Sequence, residues 1–215
     1  MTHTPRFSGA VDGLVDDLRR LSRRRQAAFF AICGEALLPL YNRFHVSTGF
    51  GDLDTLVQAL TRVDAWVTGS DLADTSGLAA SLEAITPHGD DFDAPSSTVA
   101  QDAIICVDMA IRCARPDGVY DLDAVWYALE PLMTALTLCA YNVLQLGSGD
   151  DEHEWLDRVV DEPEMARALR YCHHTAHALM GLDTITPDLL EQLRGGSSAL
   201  HPAIVEEMLM VNAQQ

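Results

Sequence analysis

The sequence predicts an all-α protein: a single-domain, irregular, orthogonal bundle of about eight or nine helices with no sheet. Apolar residues recur at steps of three and four along most of the chain, which is the spacing of an amphipathic helix. No segment shows the sustained alternation and β-branched residues typical of a strand. A chain of 215 residues can bury one large core, so residues 1–215 are predicted to form one domain.

The strongest core signal lies between residues 27 and 52. Its aromatic and aliphatic residues form one dense stripe at helical spacing, made of Phe29, Phe30, Cys33, Leu37, Leu40, Tyr41 and Phe44. Pro39 removes one backbone hydrogen bond inside this helix, which predicts a kink or a tightened last turn. Glu35 is the only acid within the apolar helix, and we expect it to hydrogen-bond to a tyrosine or to a backbone amide freed near Pro39.

The same periodicity predicts the remaining helices. They cover residues 8–21, 53–67, 75–85, 98–114, 121–146 and 163–180, and two shorter helices open at Thr186-Pro187 and His201-Pro202. Ser22, Asp52, Ser96-Ser97 and Asp121 are placed to cap the helices that follow them. Gly49 and Gly51 permit the left-handed turn that ends the second helix.

The cysteines and the long apolar segments predict the cellular compartment of the protein. The five cysteines show no CxxC spacing and fall on apolar helical faces, which predicts buried thiols in a reducing, cytoplasmic compartment. The N-terminus lacks the apolar core of a secretory signal. Residues 131–149 carry no charge, but polar residues interrupt them and both flanks are acidic, so we expect a buried helix and no membrane partner.

The formal net charge is −18, and all fourteen positive side chains are arginine. Residues 1–25 contain six arginines and three aspartates, a balance of +3, so residues 26–215 carry −21. Such a body repels nucleic acid phosphates and would attract a basic protein; solubility alone is the other interpretation. The arginines at residues 19–25 are expected to pair with the protein's own carboxylates.

Two acidic stretches are candidate partner-binding surfaces. One covers residues 71–93, within a segment between Arg62 and Arg112 that has no lysine or arginine, and the other covers residues 150–164. The candidate residues are Asp90, Asp91, Asp93, Asp150, Asp151, Glu152, Glu154 and Asp157. We expect them to contact a basic protein.

The weak candidates for metal binding are His173 and His177, which lie one helical turn apart. No glutamate lies between them as in the zincin motif, and a third ligand must come from elsewhere, Asp150 or His153 being available only if the two helices are adjacent. A polar surface ridge is the alternative. No nucleophile motif is present, so neither a catalytic residue nor a cofactor is predicted.

Two sequence blocks carry a family resemblance. FFAICGEALLPLYNRF followed by STGFGD contains Glu35, Pro39 and Tyr41 and then Gly49, Gly51 and Asp52; LEAITPHGDDFD follows at residues 82–93. Over residues 22–145 the chain resembles the YjaG-like family of bacterial helical proteins, whereas residues 150–215 are more divergent. The sequence departs from the family at Ala36, where such sequences often carry arginine, so a Glu-Arg pair on that turn is not expected.

The resemblance implies an all-helical cytosolic fold without an established activity, and some relatives look like immunity proteins that neutralise a toxin. The leading hypothesis is therefore a non-catalytic, cytosolic, immunity-type or inhibitor-type module that binds a basic partner through an acidic surface. One alternative is a metal-binding enzyme that uses His173 and His177. Another is an uncharacterised housekeeping bacterial homodimer.

Overall fold

The computed structural model describes residues 6–71, 75–88, 91–92, 96–115, 120–144, 158–201, 203 and 205. These residues form eight α-helices, two short 3-10 helices and no strand, which confirms the all-α prediction. The α-helices are α1 (Arg6–Arg19), α2 (Arg23–Thr48), α3 (Leu53–Val67), α4 (Thr75–Ile85), α5 (Ser96–Ala114), α6 (Trp126–Leu144), α7 (Pro163–Met180) and α8 (Pro187–Arg194). The 3-10 helices are Leu122–Val125 and Ser197–Ala199.

The central element is α2, which packs most extensively against α5 and also contacts α3, α6, α7 and α8. Every residue from 26 to 34 is buried, so the first half of this helix is enclosed on all sides. The sequence pattern had predicted a single buried stripe, and that prediction was too narrow. Small residues such as Ala27, Ala28 and Ala31 fill the faces outside the aromatic stripe and let neighbouring helices cover them.

The α2–α5 contact is close at Gly34. A Cβ atom at this position would lie 2.7 Å from Val107 Cγ2 and 3.4 Å from the Val107 backbone nitrogen. Packed carbon atoms normally lie about 3.5–4.0 Å apart, so a side chain here would push the two helices apart. Gly34 therefore permits the approach of the two most buried helices.

The end of α2 agrees with part of the prediction. The helix runs through Pro39 and ends at Thr48, so Pro39 does not divide it. Gly49 (φ 70°) and Gly51 (φ 83°) both adopt left-handed backbone conformations. The Asp52 carboxylate then accepts a hydrogen bond from the Asp54 backbone N–H at 3.0 Å and caps α3, as predicted.

The other predicted caps differ in outcome. Ser22 occupies the N-cap position of α2, but its side chain makes no capping hydrogen bond. The pair Ser96-Ser97 lies inside α5, which begins at Ser96, and Ser97 is buried. Asp121 does cap, but it caps the 3-10 turn Leu122–Val125 that leads into α6. Thr186-Pro187 opens α8 as predicted, and the Thr186 hydroxyl, for which no cap was predicted, accepts from the Leu189 backbone N–H.

The core agrees with the predictions about cysteines and apolar segments. Cys33, Cys106, Cys113 and Cys172 are free and buried, and the side chain of Cys139 lies outside the described residues. Within the described chain, none of the helices combines the length and apolarity needed to cross a membrane. This finding includes the uncharged segment in α6 as far as residue 144.

Candidate functional site

A cluster of three ionisable side chains forms where the end of α1 packs against α7. Asp17 Oδ2 lies 2.9 Å from His173 Nδ1 and 3.0 Å from His177 Nε2. The two histidines are one turn apart on α7, so both rings point at the same carboxylate. The three candidate ligand atoms all lie within 4.8 Å of one another. Among the described residues, these three side chains form the group whose ligand atoms lie close enough to hold a metal ion.

The electrostatics of the cluster favour an ionised carboxylate. Burial tends to raise the pKa of Asp17, but the hydrogen bonds and charges of His173 and His177 outweigh it and hold that pKa below its ordinary value. An ionised carboxylate only accepts hydrogen bonds, so both ring nitrogens that face it must donate. The Asp17 side chain is 12 % exposed, whereas those of His173 and His177 are 36 % and 63 % exposed. Asp17 therefore lies at the buried end of the cluster, and the two histidines lie at the end that is open to solvent.

Sequence reasoning identified the two histidines but not Asp17. The predicted third ligands, Asp150 and His153, both lie outside the described residues. A signal for Asp17 was available, because it lies one helical turn after Leu14, which is buried. A charged residue within an apolar helical face usually has a partner from another element.

The glutamate of the family motif has a partner that differs from the prediction. Glu35 Oε2 lies 2.6 Å from Arg194 Nε, and Arg194 Nη2 donates to both carboxylate oxygens of Asp64 at 2.7 Å. The expected hydrogen bond to a tyrosine or to a backbone amide near Pro39 is wrong. Burial raises the pKa of Glu35, Arg194 lowers it, and the Asp64 carboxylate raises it further. Arg194 thus joins α2, α3 and α8 at one point.

Substitution of Arg194 by alanine should lower the free energy of unfolding by about 1–2 kcal/mol. The substitution leaves Glu35 and Asp64 facing each other without a cation, while their partial exposure reduces the penalty. Urea denaturation measures the change. As a matched control, Arg167→Ala removes an exposed arginine whose ion pair with Glu164 spans 3.6 Å, and it should change the stability by less than about 0.5 kcal/mol. Equal effects of the two substitutions would contradict a linking role for Arg194.

The rest of the motif builds the corner between α2 and α3. The Asp52 backbone N–H donates to the Tyr41 hydroxyl at 3.0 Å, and a side chain at Gly51 would collide with that hydroxyl. Phe44, Phe50 and Phe92 then form an aromatic trio beside the corner. In this trio Phe92 lies 5.2 Å from Phe44 and 5.0 Å from Phe50 between ring centroids. The motif residues therefore have structural roles.

The predicted acidic surface is only partly within the described chain. Asp71, Glu83 and Asp91 are exposed and have no ion pair in the described chain. Asp91 directly precedes Phe92, which belongs to the aromatic trio. The remaining candidates lie outside the described residues: Asp90, Asp93, Asp150, Asp151, Glu152, Glu154 and Asp157.

The arginine-rich segment at residues 19–25 contacts the protein itself, in part as predicted. Arg19 pairs with Asp16 at 2.8 Å, and Arg20 lies 3.7 Å from Asp17. The next three arginines contact neutral groups: Arg23 stacks on Tyr120, Arg24 stacks on Trp66, and Arg25 donates to the Leu182 carbonyl. Internal contacts thus include aromatic faces and a carbonyl as well as carboxylates.

Comparisons with known proteins add a family and a fold. Residues 13–195 match the model of a family described as "Protein of unknown function (DUF416)". The match extends beyond residues 22–145 at both ends and includes Asp17, His173 and His177. The crystal structure of a DUF416 family protein from Shewanella baltica OS155 has a TM-score of 0.66 and 20 % identity, covering 85 % of this chain and 92 % of that chain. No curated protein matches the chain.

Proposed function

The chain belongs to the DUF416 family of proteins of unknown function, and on this premise we propose that it is a non-catalytic module that binds a basic protein through an acidic surface. The observation that carries the proposal is the exposed Asp91 beside the aromatic trio. Asp91 is exposed, and the adjacent Phe92 is held between Phe44 and Phe50. A charge presented from a fixed position supports binding at a smaller cost in conformational entropy than one on a loose chain.

The charge distribution supports the same proposal. Asp71, Glu83 and Asp91 lie in a segment with no lysine or arginine between Arg62 and Arg112. Exposed carboxylates add to a long-range field, and a net charge of −18 strengthens it. Such a field raises the association rate with a basic partner and repels nucleic acid.

A more specific proposal concerns the group within the family, the cellular location and the binding partner. We propose that the chain belongs to the YjaG-like group, that it acts in the cytoplasm, and that its partner is a toxin which it neutralises as an immunity-type protein. The FFAICGEALLPLYNRF and STGFGD blocks support the group name. A basic toxin gene immediately next to the gene for this chain would support the immunity role.

Neutralising three carboxylates of the acidic surface tests the proposal. We expect affinity capture from the source cell to return one basic protein, and the triple variant Asp71→Asn, Glu83→Gln, Asp91→Asn to associate with it at least about tenfold more slowly. Raising the salt concentration should slow the wild-type association in the same way, because ions screen the attraction. Surface plasmon resonance with the purified partner measures both rates.

A control variant distinguishes the effect of the acidic surface from the effect of the net charge alone. The variant Asp12→Asn, Asp183→Asn, Glu191→Gln removes three exposed carboxylates elsewhere and changes the net charge equally. It should bind like the wild type. Equal losses in both variants, or a complex that is insensitive to salt, would contradict the proposal. A homodimer without any other partner, detected by light scattering, would favour the housekeeping alternative.

A further inference from the structure

We infer that Asp17, His173 and His177 form a binding site for one divalent transition-metal ion, with zinc as the reference ion. The site involves two helices that are distant in sequence, α1 and α7, and none of the residues of the acidic surface. It therefore does not depend on the proposed partner-binding function. Its support is the geometry of three ligand atoms that are already gathered at one point.

The distances are close to those of a metal site. Zinc binds imidazole nitrogen and carboxylate oxygen at about 2.0–2.2 Å, which places tetrahedral ligand atoms about 3.3–3.5 Å apart. Asp17 Oδ2 lies 2.9 Å from His173 Nδ1 and 3.0 Å from His177 Nε2. Small side-chain rotations would open these separations to the tetrahedral value. The two histidine nitrogens lie within 4.8 Å of each other.

The proton balance of binding is simple. In the metal-free protein the ring nitrogens facing Asp17 Oδ2 carry the protons of the two hydrogen bonds. When the ion binds, each imidazole releases to solvent the proton of the nitrogen that faces Asp17 and coordinates the ion through that nitrogen. The other ring nitrogen then carries the single proton, which a neutral imidazole takes up from solvent in exchange. The carboxylate then contacts the ion instead of two N–H groups. No oxidant or co-reactant is required.

The donor set indicates the class of ion. Two imidazole nitrogens and one carboxylate oxygen suit zinc and its first-row neighbours, whereas magnesium and calcium prefer oxygen ligands alone. Arg20 lies 3.7 Å from Asp17 Oδ1, the oxygen that does not contact the histidines, and so places a positive charge beside the carboxylate.

Three protein ligands leave a coordination position for solvent. His177 is 63 % exposed, and Gly13 faces the His173 ring without a side chain, since a Cβ there would still lie 3.8 Å from His173 Cε1. The open side of the ion would therefore hold a water molecule or an anionic ligand. Closed structural zinc sites instead use four protein ligands.

Isothermal titration calorimetry with zinc sulfate on the metal-free full-length protein tests the site. We expect one ion per chain and an affinity at least about 100-fold lower in His173→Ala and in His177→Ala. The matched control is His174→Ala, which removes an exposed histidine of the same helix that lies outside the cluster and should leave the affinity unchanged. Asp17→Asn keeps the shape of the side chain and should also weaken binding.

A second measurement is independent of calorimetry. Cobalt(II) bound in place of zinc should give the visible absorption of a four-coordinate site in the wild type and in His174→Ala, and lose it in His177→Ala. Circular dichroism confirms that the variants remain folded. No binding of micromolar zinc by the wild type, or equal losses in His174→Ala and His177→Ala, would overturn the inference. Neither outcome bears on the acidic surface, because that test uses other residues and no metal.

Discussion

Substitution of Asp102 by asparagine should raise the free energy of unfolding at pH 8 by about 2 kcal/mol or more. Asp102 lies in α5, is 2 % exposed, and its Oδ2 is buried without a hydrogen-bond partner among the residues that the structure describes. Burial, together with the nearby Glu130 carboxylate, raises the pKa of Asp102 from 3.8 to about 9. The folded protein therefore holds Asp102 protonated at neutral pH, and an amide of the same shape removes the cost of taking up that proton.

The wild type should lose stability as the pH rises from about 4 to about 9. In this range the unfolded chain has an ionised Asp102 and the folded chain a protonated one, so folding binds a proton. The loss is at most about 1.4 kcal/mol for each pH unit. Burial also raises the pKa of Glu130, which adds a slope of the same sign. The variant should therefore show a shallower pH dependence than the wild type, but not a flat one.

Urea denaturation at pH 5 and at pH 8 measures this effect. The control Asp12→Asn replaces an exposed aspartate on α1 and should change the stability by no more than about 0.5 kcal/mol at either pH. A variant at Asp102 that is less stable than the wild type at pH 8 would indicate that the carboxylate is ionised in a stabilising contact. That result would contradict the prediction.

Substitution of Gly34 by alanine should lower the free energy of unfolding by about 1–3 kcal/mol. The added methyl group would lie 2.7 Å from Val107 Cγ2, where α2 packs against α5. Val107 is a buried, β-branched residue within α5, so its methyl group cannot move away freely. The gain in helix propensity on replacing glycine offsets only about 1 kcal/mol of this strain.

A second helical glycine provides the matched control. Gly9 lies in α1, and a Cβ added there would meet nothing within 4 Å. Gly9→Ala should therefore stabilise the protein by about 0.5–1 kcal/mol through helix propensity alone. Chemical denaturation of both variants should give changes of opposite sign. Stabilisation by both substitutions would show that α2 and α5 can separate at Gly34 without a measurable cost.

The candidate sites were less predictable than the helices. His173 and His177 could be selected because their spacing on one helix is a local property, but Asp17 could not be joined to them from sequence. Their contact spans more than 150 positions along the chain. Glu35 was recognised as unusual for the same local reason, yet its partner was assigned wrongly, because Arg194 reaches it only through the packing of α8 against α2.

The sequence by itself determined the all-α class, most helix boundaries and the cap at Asp52. These features depend on hydrophobic periodicity and on hydrogen bonds between neighbours, so they can be read within a few turns. Only the tertiary structure decided that α2 is enclosed on all sides, that Gly34 is needed at the crossing, and that Asp17 faces two histidines. These features depend on which helices meet and at what distance, and that is settled when the whole core packs.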